Sequence, residues 1–279
     1  MREANFSYVD GNNPPAEPTV RVTVEPASLD DVSGRLWLAG ATAIGEETAG
    51  ELVTLVAGYP DRDRAERAAA DVGGEVVEVE PGAWLDAWRT FARSVRAGRL
   101  VVHPAWTDPP PVQDGDLVVE IDPGRVFGHG GHPTTRLLLE ELDRRIAGGE
   151  RVLDVGCGSG VLSVAAALLG AGDVVGIDID PDAVPVTLDN ARRNGVEVTA
   201  TTTPLGDVEG DYDLVLANIG ADVLVELAPQ LAARGRTLLL SGVLAERAEE
   251  VAGAYAAADA TTTVRELDGW VAIVVSSSP

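Results

Sequence analysis

Three glycines spaced by single residues follow an apolar run in Val152-Leu153-Asp154-Val155-Gly156-Cys157-Gly158-Ser159-Gly160. Such a turn lets a ligand approach the backbone, because no Cβ stands in the way. The amides at the start of the following helix then face that ligand. A dinucleotide turn reads G-x-G-x-x-G, and the place of its third glycine holds Val161. The form found here, G-x-G-x-G after an acid, is typical of S-adenosylmethionine binding. Gly156, Gly158 and Gly160 are therefore the candidate cofactor turn. Asp154 is expected beside the methionine ammonium, a sensible place for negative charge.

Two further polar residues end apolar runs. Asp178 closes Val174-Val175-Gly176-Ile177, 22 positions after Gly156, where a carboxylate can accept both ribose hydroxyl protons. Asp180 precedes Pro181 and is read as a helix cap instead. Asn218 ends Leu214-Val215-Leu216-Ala217, placing an amide beside the same crevice. That amide can orient the methyl acceptor or contact the cofactor.

The run Phe127-Gly128-His129-Gly130-Gly131-His132-Pro133-Thr134-Thr135 reads as a loop folding over a ligand, with Thr134 or Thr135 capping the next helix. His129 and His132 are candidate proton carriers in the acceptor step. As a metal pair they lack a third ligand, so no metal is expected.

These residues need a scaffold that brings strand ends together. From residue 134 onward, strands alternate with single helices, which predicts right-handed crossovers and a parallel sheet: a doubly wound α/β fold. The final hairpin, Thr262–Leu267 and Trp270–Ser276 across Asp268-Gly269, adds an antiparallel edge. Residues 20–82 show the order β-α-β-β-α-β, the split-βαβ or ferredoxin-like pattern. Residues 1–19, polar and rich in Pro, Asn and Gly, are expected to form a disordered lead-in. Residues 83–104 make a linker whose first part, 83–97, reads as a helix carrying Trp84, Trp88 and Phe91 at helical spacing. Residues 105–279 make the methyltransferase domain.

Composition narrows the partners. The 279 residues carry a formal charge of −24, which repels phosphate backbones and favours a basic protein partner over nucleic acid. The chain has no lysine, so none of its own side chains competes as an amine acceptor. One cysteine excludes an internal disulfide. No apolar run reaches the length of a membrane span, and no signal segment opens the chain; a cytoplasmic protein with no membrane partner is expected.

Taken together, FGHGGHPTTRLLLEEL, VLDVGCGSGVLSVAAALLGAGDVVGIDIDP, NARRNGV, LVLANI and LLLSGVL resemble the bacterial ribosomal protein L11 methyltransferases. The likeness runs from about Trp84 to Leu244, including Gly82-Ala83-Trp84-Leu85-Asp86-Ala87-Trp88, and is loose before that. It implies a Rossmann-like class I methyltransferase sheet and a small N-terminal ferredoxin-like domain that recognises the ribosomal protein. It implies S-adenosylmethionine as donor, with lysine side chains and an N-terminal α-amine as acceptors. The family's cofactor contacts fall on Thr135, Gly156, Asp178 and Asn218, and its loop on Phe127 and Gly128. The family usually has threonine where this chain has His129. A related methyltransferase acts on a lysine of an electron-transfer flavoprotein, so another protein lysine is the alternative target. A nicotinamide-dependent oxidoreductase is the rival from a different class.

Overall fold

The computed structural model describes residues 17–25, 28–41, 43–49, 52–79, 92–124, 126, 128, 130–256 and 260–277. They fall into two compact units, divided between Thr90 and Phe91. Trp84, Trp88 and Phe91, and with them most of the expected helix over 83–97, lie outside the described residues.

The first unit runs β1 (Glu17–Val24), α1 (Leu29–Leu38), β2 (Ala43–Ala49), β3 (Leu52–Gly58), α2 (Arg62–Val72) and β4 (Glu75–Val79). Its sheet has the order β2-β3-β1-β4, with every pairing antiparallel. β1 takes in Glu17 to Thr19, the end of the expected lead-in, because these residues pair with β4. Period-two alternation puts Val20, Val22, Leu55 and Ala57 on one face, against Leu36 of α1 and Ala65 and Ala68 of α2. Asp61 caps α2 by accepting from the Arg64 amide at 2.8 Å, and Gly73 ends it in the left-handed conformation.

The second unit opens with a small sheet of β5 (Val95–Ala97), β6 (Leu100–Pro104) and β7 (Leu117–Ile121), in that order. The helix expected over 83–97 is corrected at its end: residues 95–97 are a strand, and with β6 they belong to this unit. The cause is tertiary. Val95 to Ala97 pair antiparallel with β6, and Arg96 grips Asp116 with both guanidinium nitrogens, at 2.5 and 2.7 Å.

The remaining elements are α3 (Pro133–Arg145), β8 (Arg151–Val155), α4 (Val161–Leu168), β9 (Asp173–Ile177), α5 (Ala183–Arg193), β10 (Thr199–Thr201), β11 (Tyr212–Asn218), α6 (Ala221–Ala232), β12 (Gly235–Leu244), α7 (Ala248–Ala254), β13 (Ala260–Leu267) and β14 (Trp270–Ser277). A 3-10 turn occupies Ala245–Arg247 before α7. The seven strands lie in the order β10-β9-β8-β11-β12-β14-β13, parallel except for β14, which runs antiparallel to both its neighbours. Asp268 and Gly269 join β13 to β14 with φ of 50° and 76°, the two positive values that a tight hairpin turn needs.

Both faces of the sheet are covered. Val152, Val174, Leu214, Leu216 and Leu239 face α3 and α4, while Leu153, Val155, Val215, Ala217 and Leu240 face Leu224 and Leu231 of α6 and Val251 of α7. The chain winds outward from β8 to β10, then returns to β11 on the other side of β8. Ligands bind at such a switch, outside the carboxyl ends of the strands.

Candidate cofactor and acceptor site

The turn after β8 is built from backbone that only glycine adopts readily. Gly156, Gly158 and Gly160 have φ of 77°, 53° and 78°. Close approach adds to this, since a Cβ on Gly156 would stand 2.6 Å from Ile219 Cγ2 and one on Gly160 2.7 Å from Thr187 Cγ2. The glycines are thus required by the turn's own conformation and packing, and not only by ligand access.

The turn is tied to β9. Gly156 and Cys157 donate to the Ile177 carbonyl at 2.8 and 3.1 Å. The Gly158 amide donates to Asp178 Oδ2 at 2.8 Å, and the Asp180 amide to Asp178 Oδ1 at 2.9 Å. Each carboxylate oxygen keeps a second lone pair, so Asp178 can organise the turn and still accept from a ligand. Ile179 beside it is 99 % exposed, an apolar side chain open at the mouth of the crevice. Asp180 does not cap α5, whose N-cap is Asp182; the Asp180 side chain accepts from the Asp182 amide at 2.9 Å in the turn just before the helix.

Asp154 lies beneath the turn, 1 % exposed. Its Oδ2 accepts from Ser163 Oγ at 2.6 Å, whereas Oδ1 is buried without a partner. Burial pushes this carboxyl up to about 6, against the pull of the Ser163 hydroxyl, and the charge of Asp178 adds to the rise. Burial, and then Asp154, push the neighbouring Cys157 thiol up to about 12, so it stays protonated at neutral pH.

Across the crevice, Asn218 Nδ2 donates to Thr135 Oγ1 at 3.1 Å, joining residues 83 positions apart. Thr135 itself is 1 % exposed and meets the site through this bond. One Nδ2 hydrogen is engaged there, which leaves the other hydrogen and the carbonyl oxygen of the same amide for a ligand. Gly242 packs against the peptide that follows: a Cβ there would stand 2.3 Å from the Ile219 carbonyl oxygen.

His132 caps α3, a role first expected of Thr134 or Thr135. Its Nδ1 lies 2.8 Å from Thr134 Oγ1 and 3.4 Å from the Thr134 amide, and its ring meets Trp270 edge-on at 4.8 Å. Gly128 is held by Ser159, whose hydroxyl donates to its carbonyl at 2.5 Å. Phe127 and His129 lie outside the described residues. Among the described residues no group of histidine, cysteine and carboxylate side chains is arranged to hold a metal, and no helix is long and apolar enough to cross a membrane.

The seven-stranded order with one antiparallel strand, a glycine turn after β8, an acid ending β9 and an amide ending β11 define the class I S-adenosylmethionine-dependent methyltransferase fold. The model of one family, ribosomal protein L11 methyltransferase (PrmA), matches residues 20–278. The chain belongs to that family. It is 47 % identical over 202 residues to the ribosomal protein L11 methyltransferase of Symbiobacterium thermophilum, a match covering 70 % of this chain and 66 % of that protein. It is 44 % identical over 223 residues to the enzyme of the same name in Geobacter sulfurreducens, covering 78 % and 73 %. The crystal structure of a ribosomal protein L11 methylase from Lactobacillus delbrueckii subsp. bulgaricus superposes with a TM-score of 0.62 at 30 % identity, covering 67 % of this chain and 100 % of that one.

Proposed function

We propose that this chain transfers methyl groups from S-adenosylmethionine to lysine side-chain and N-terminal amines of ribosomal protein L11, in the cytoplasm. The observation that carries the reading is the convergence, at the carboxyl ends of β8, β9 and β11, of a ligand-ready turn, a carboxylate and an oriented amide. The family and the names of its relatives supply the acceptor. The acidic chain, at −24, suits a lysine-bearing partner and not nucleic acid. Residues 20–82 are assigned to acceptor recognition.

The donor's methionine cation fits the unpartnered, buried Asp154 Oδ1, and its ribose fits Asp178. Bound there, S-adenosylmethionine supplies an electrophilic methyl group on a sulfonium. The protein's work is to bring a neutral amine in line with it. Asn218 Oδ1 receives an amine hydrogen and aims the nitrogen lone pair. A lysine amine, with an ordinary pKa of about 10.4, must lose its proton first, and a pocket closed to water lowers that value. His132 and His129 are the candidate carriers of that proton, with water as the alternative.

Tritiated S-adenosylmethionine with purified L11 tests the function. Label should enter L11 and be lost when its lysines are replaced by arginine and its α-amine is blocked. Label entering a different protein of the extract, with none in L11, would move the acceptor elsewhere.

The buried carboxylate gives a pH signature. Its folded-state value is raised, so Asp154 is protonated below about 6 and ionised above. Only the ionised form holds a cation. Calorimetry should therefore show S-adenosylhomocysteine bound about tenfold more weakly at pH 5 than at pH 8. Asp154→Asn should bind weakly at both. The same variant should make the ligand-free protein more stable at pH 8 by roughly 1–3 kcal/mol, because the folded wild type loses stability as pH rises through the raised value. Wild-type binding that is flat with pH would remove Asp154 from the site.

A further inference from the structure

Two asparagines of the run NARRNGV do work that the site description leaves unassigned. Asn194 Oδ1 accepts from the Glu120 amide at 2.8 Å, and its Nδ2 donates to the Glu120 carbonyl at 2.7 Å. One turn earlier, Asn190 makes the same pair with Asp122, accepting at 3.0 Å and donating at 2.9 Å. The spacing matches: four helix residues rise about 6 Å, and two strand residues span about 6.6 Å. β7 is the edge of its sheet, so the amides on α5 complete a ladder that no strand occupies.

Asn194 makes its second Nδ2 donation within its own helix, to the Asn190 carbonyl at 2.8 Å, whereas Asn190 reaches the glycine turn. Its Nδ2 also donates to the Ser159 carbonyl at 2.9 Å, and the residue is 1 % exposed. Thr187, three positions earlier on α5, donates to the Gly158 carbonyl at 3.0 Å. Two successive carbonyls of the glycine turn are thus held from the α5 side. Because the peptide unit is planar and trans, fixing the Gly158 carbonyl turns the Ser159 N–H the opposite way, away from α5. Ser159 in turn holds Gly128 through its hydroxyl. Asp122 and Gly128 are therefore both tied to Ser159, the first through Asn190 and the second directly.

We infer that Asn190 is a positioning residue for methyl transfer: its carboxamide sets the peptides of the glycine turn and holds Asp122 in register with it. The inference rests on the glycine turn being the donor site. Thr187 assists by fixing the neighbouring peptide.

The test compares Asn190→Ala, Asn194→Ala and Thr187→Val in the full chain, with S-adenosylhomocysteine affinity by calorimetry, KM and kcat for methyl transfer, and thermal midpoint. Both asparagine variants lose a bridge to β7, so a purely structural role predicts similar falls in thermal midpoint and unchanged affinity in the folded fraction. The positioning role predicts at least tenfold weaker binding and a raised KM for S-adenosylmethionine in Asn190→Ala, with Asn194→Ala within twofold of wild type. Thr187→Val keeps its shape and should weaken binding threefold or more with little change in midpoint. It also decides the matter if Asn190→Ala does not fold. Wild type that binds while Thr187→Val and any folded Asn190→Ala bind equally well overturns the inference alone. Wild type that gives no binding heat overturns the donor-site reading, and this inference with it.

Discussion

Asp178→Asn is expected to weaken S-adenosylhomocysteine binding by about 100-fold or more. Two hydrogen bonds from ribose hydroxyls to a carboxylate contribute roughly 1.5–3 kcal/mol each, and 1.4 kcal/mol is a factor of ten. The substitution also disturbs the turn, because Asp178 already accepts from the Gly158 and Asp180 amides, one on each oxygen. An asparagine has one acceptor atom, so its NH2 group must face one of those N–H groups. The loss should therefore appear both as weaker binding and as a lower midpoint of the ligand-free protein. Titration calorimetry at pH 8, where Asp154 is ionised, isolates the effect. An affinity within threefold of wild type would show that the sugar lies elsewhere.

The second large effect is expected at Asn218. Asn218→Ala should lower kcat by two to three orders of magnitude and S-adenosylhomocysteine affinity by much less. A single polar group aimed at the reacting centre is worth about 3–4 kcal/mol, and a misplacement of about 1 Å can cost 100-fold. The aim of this amide is set by Thr135, which takes its Nδ2 at 3.1 Å. Thr135→Val keeps the shape of a residue that is 1 % exposed and removes only the oxygen. It should cost about tenfold in kcat, because the amide can then rotate. Single-turnover measurements at saturating donor separate this from product release. A kcat within threefold for Asn218→Ala would leave the amide to cofactor binding alone.

Much of the second unit was legible in the chain because its signals are local. Buried parallel strands read as apolar runs, and three of them lead into candidate site residues: Val155 into the glycines, Ile177 into Asp178, and Ala217 into Asn218. The hairpin at Asp268-Gly269 is likewise set by residues that tolerate positive φ. What the chain hid were pairings across distance. Val95-Arg96-Ala97 is too short to show a period, and becomes a strand because β6 and Asp116 hold it. The sequence marks His132 as a candidate proton carrier and not as a cap, but Pro133 at the first helical position leaves His132 at the cap, where its ring nitrogen takes the Thr134 amide. Asn190 stood in a polar helix pattern whose partners lie 68 and 31 positions away.

The amino-acid order alone settles the alternation of strands and helices after residue 134, that the sheet is wound on both sides, and which turn, acid and amide stand at strand ends. These depend on side-chain period and backbone freedom within a few residues. Only the folded chain decides that Asp154 is buried with one oxygen unmatched, that Thr135 aims Asn218, and that α5 grips both the glycine turn and the edge of β7. Each of those is a hydrogen bond, or the want of one, between segments whose nearness is set by packing and not by sequence distance.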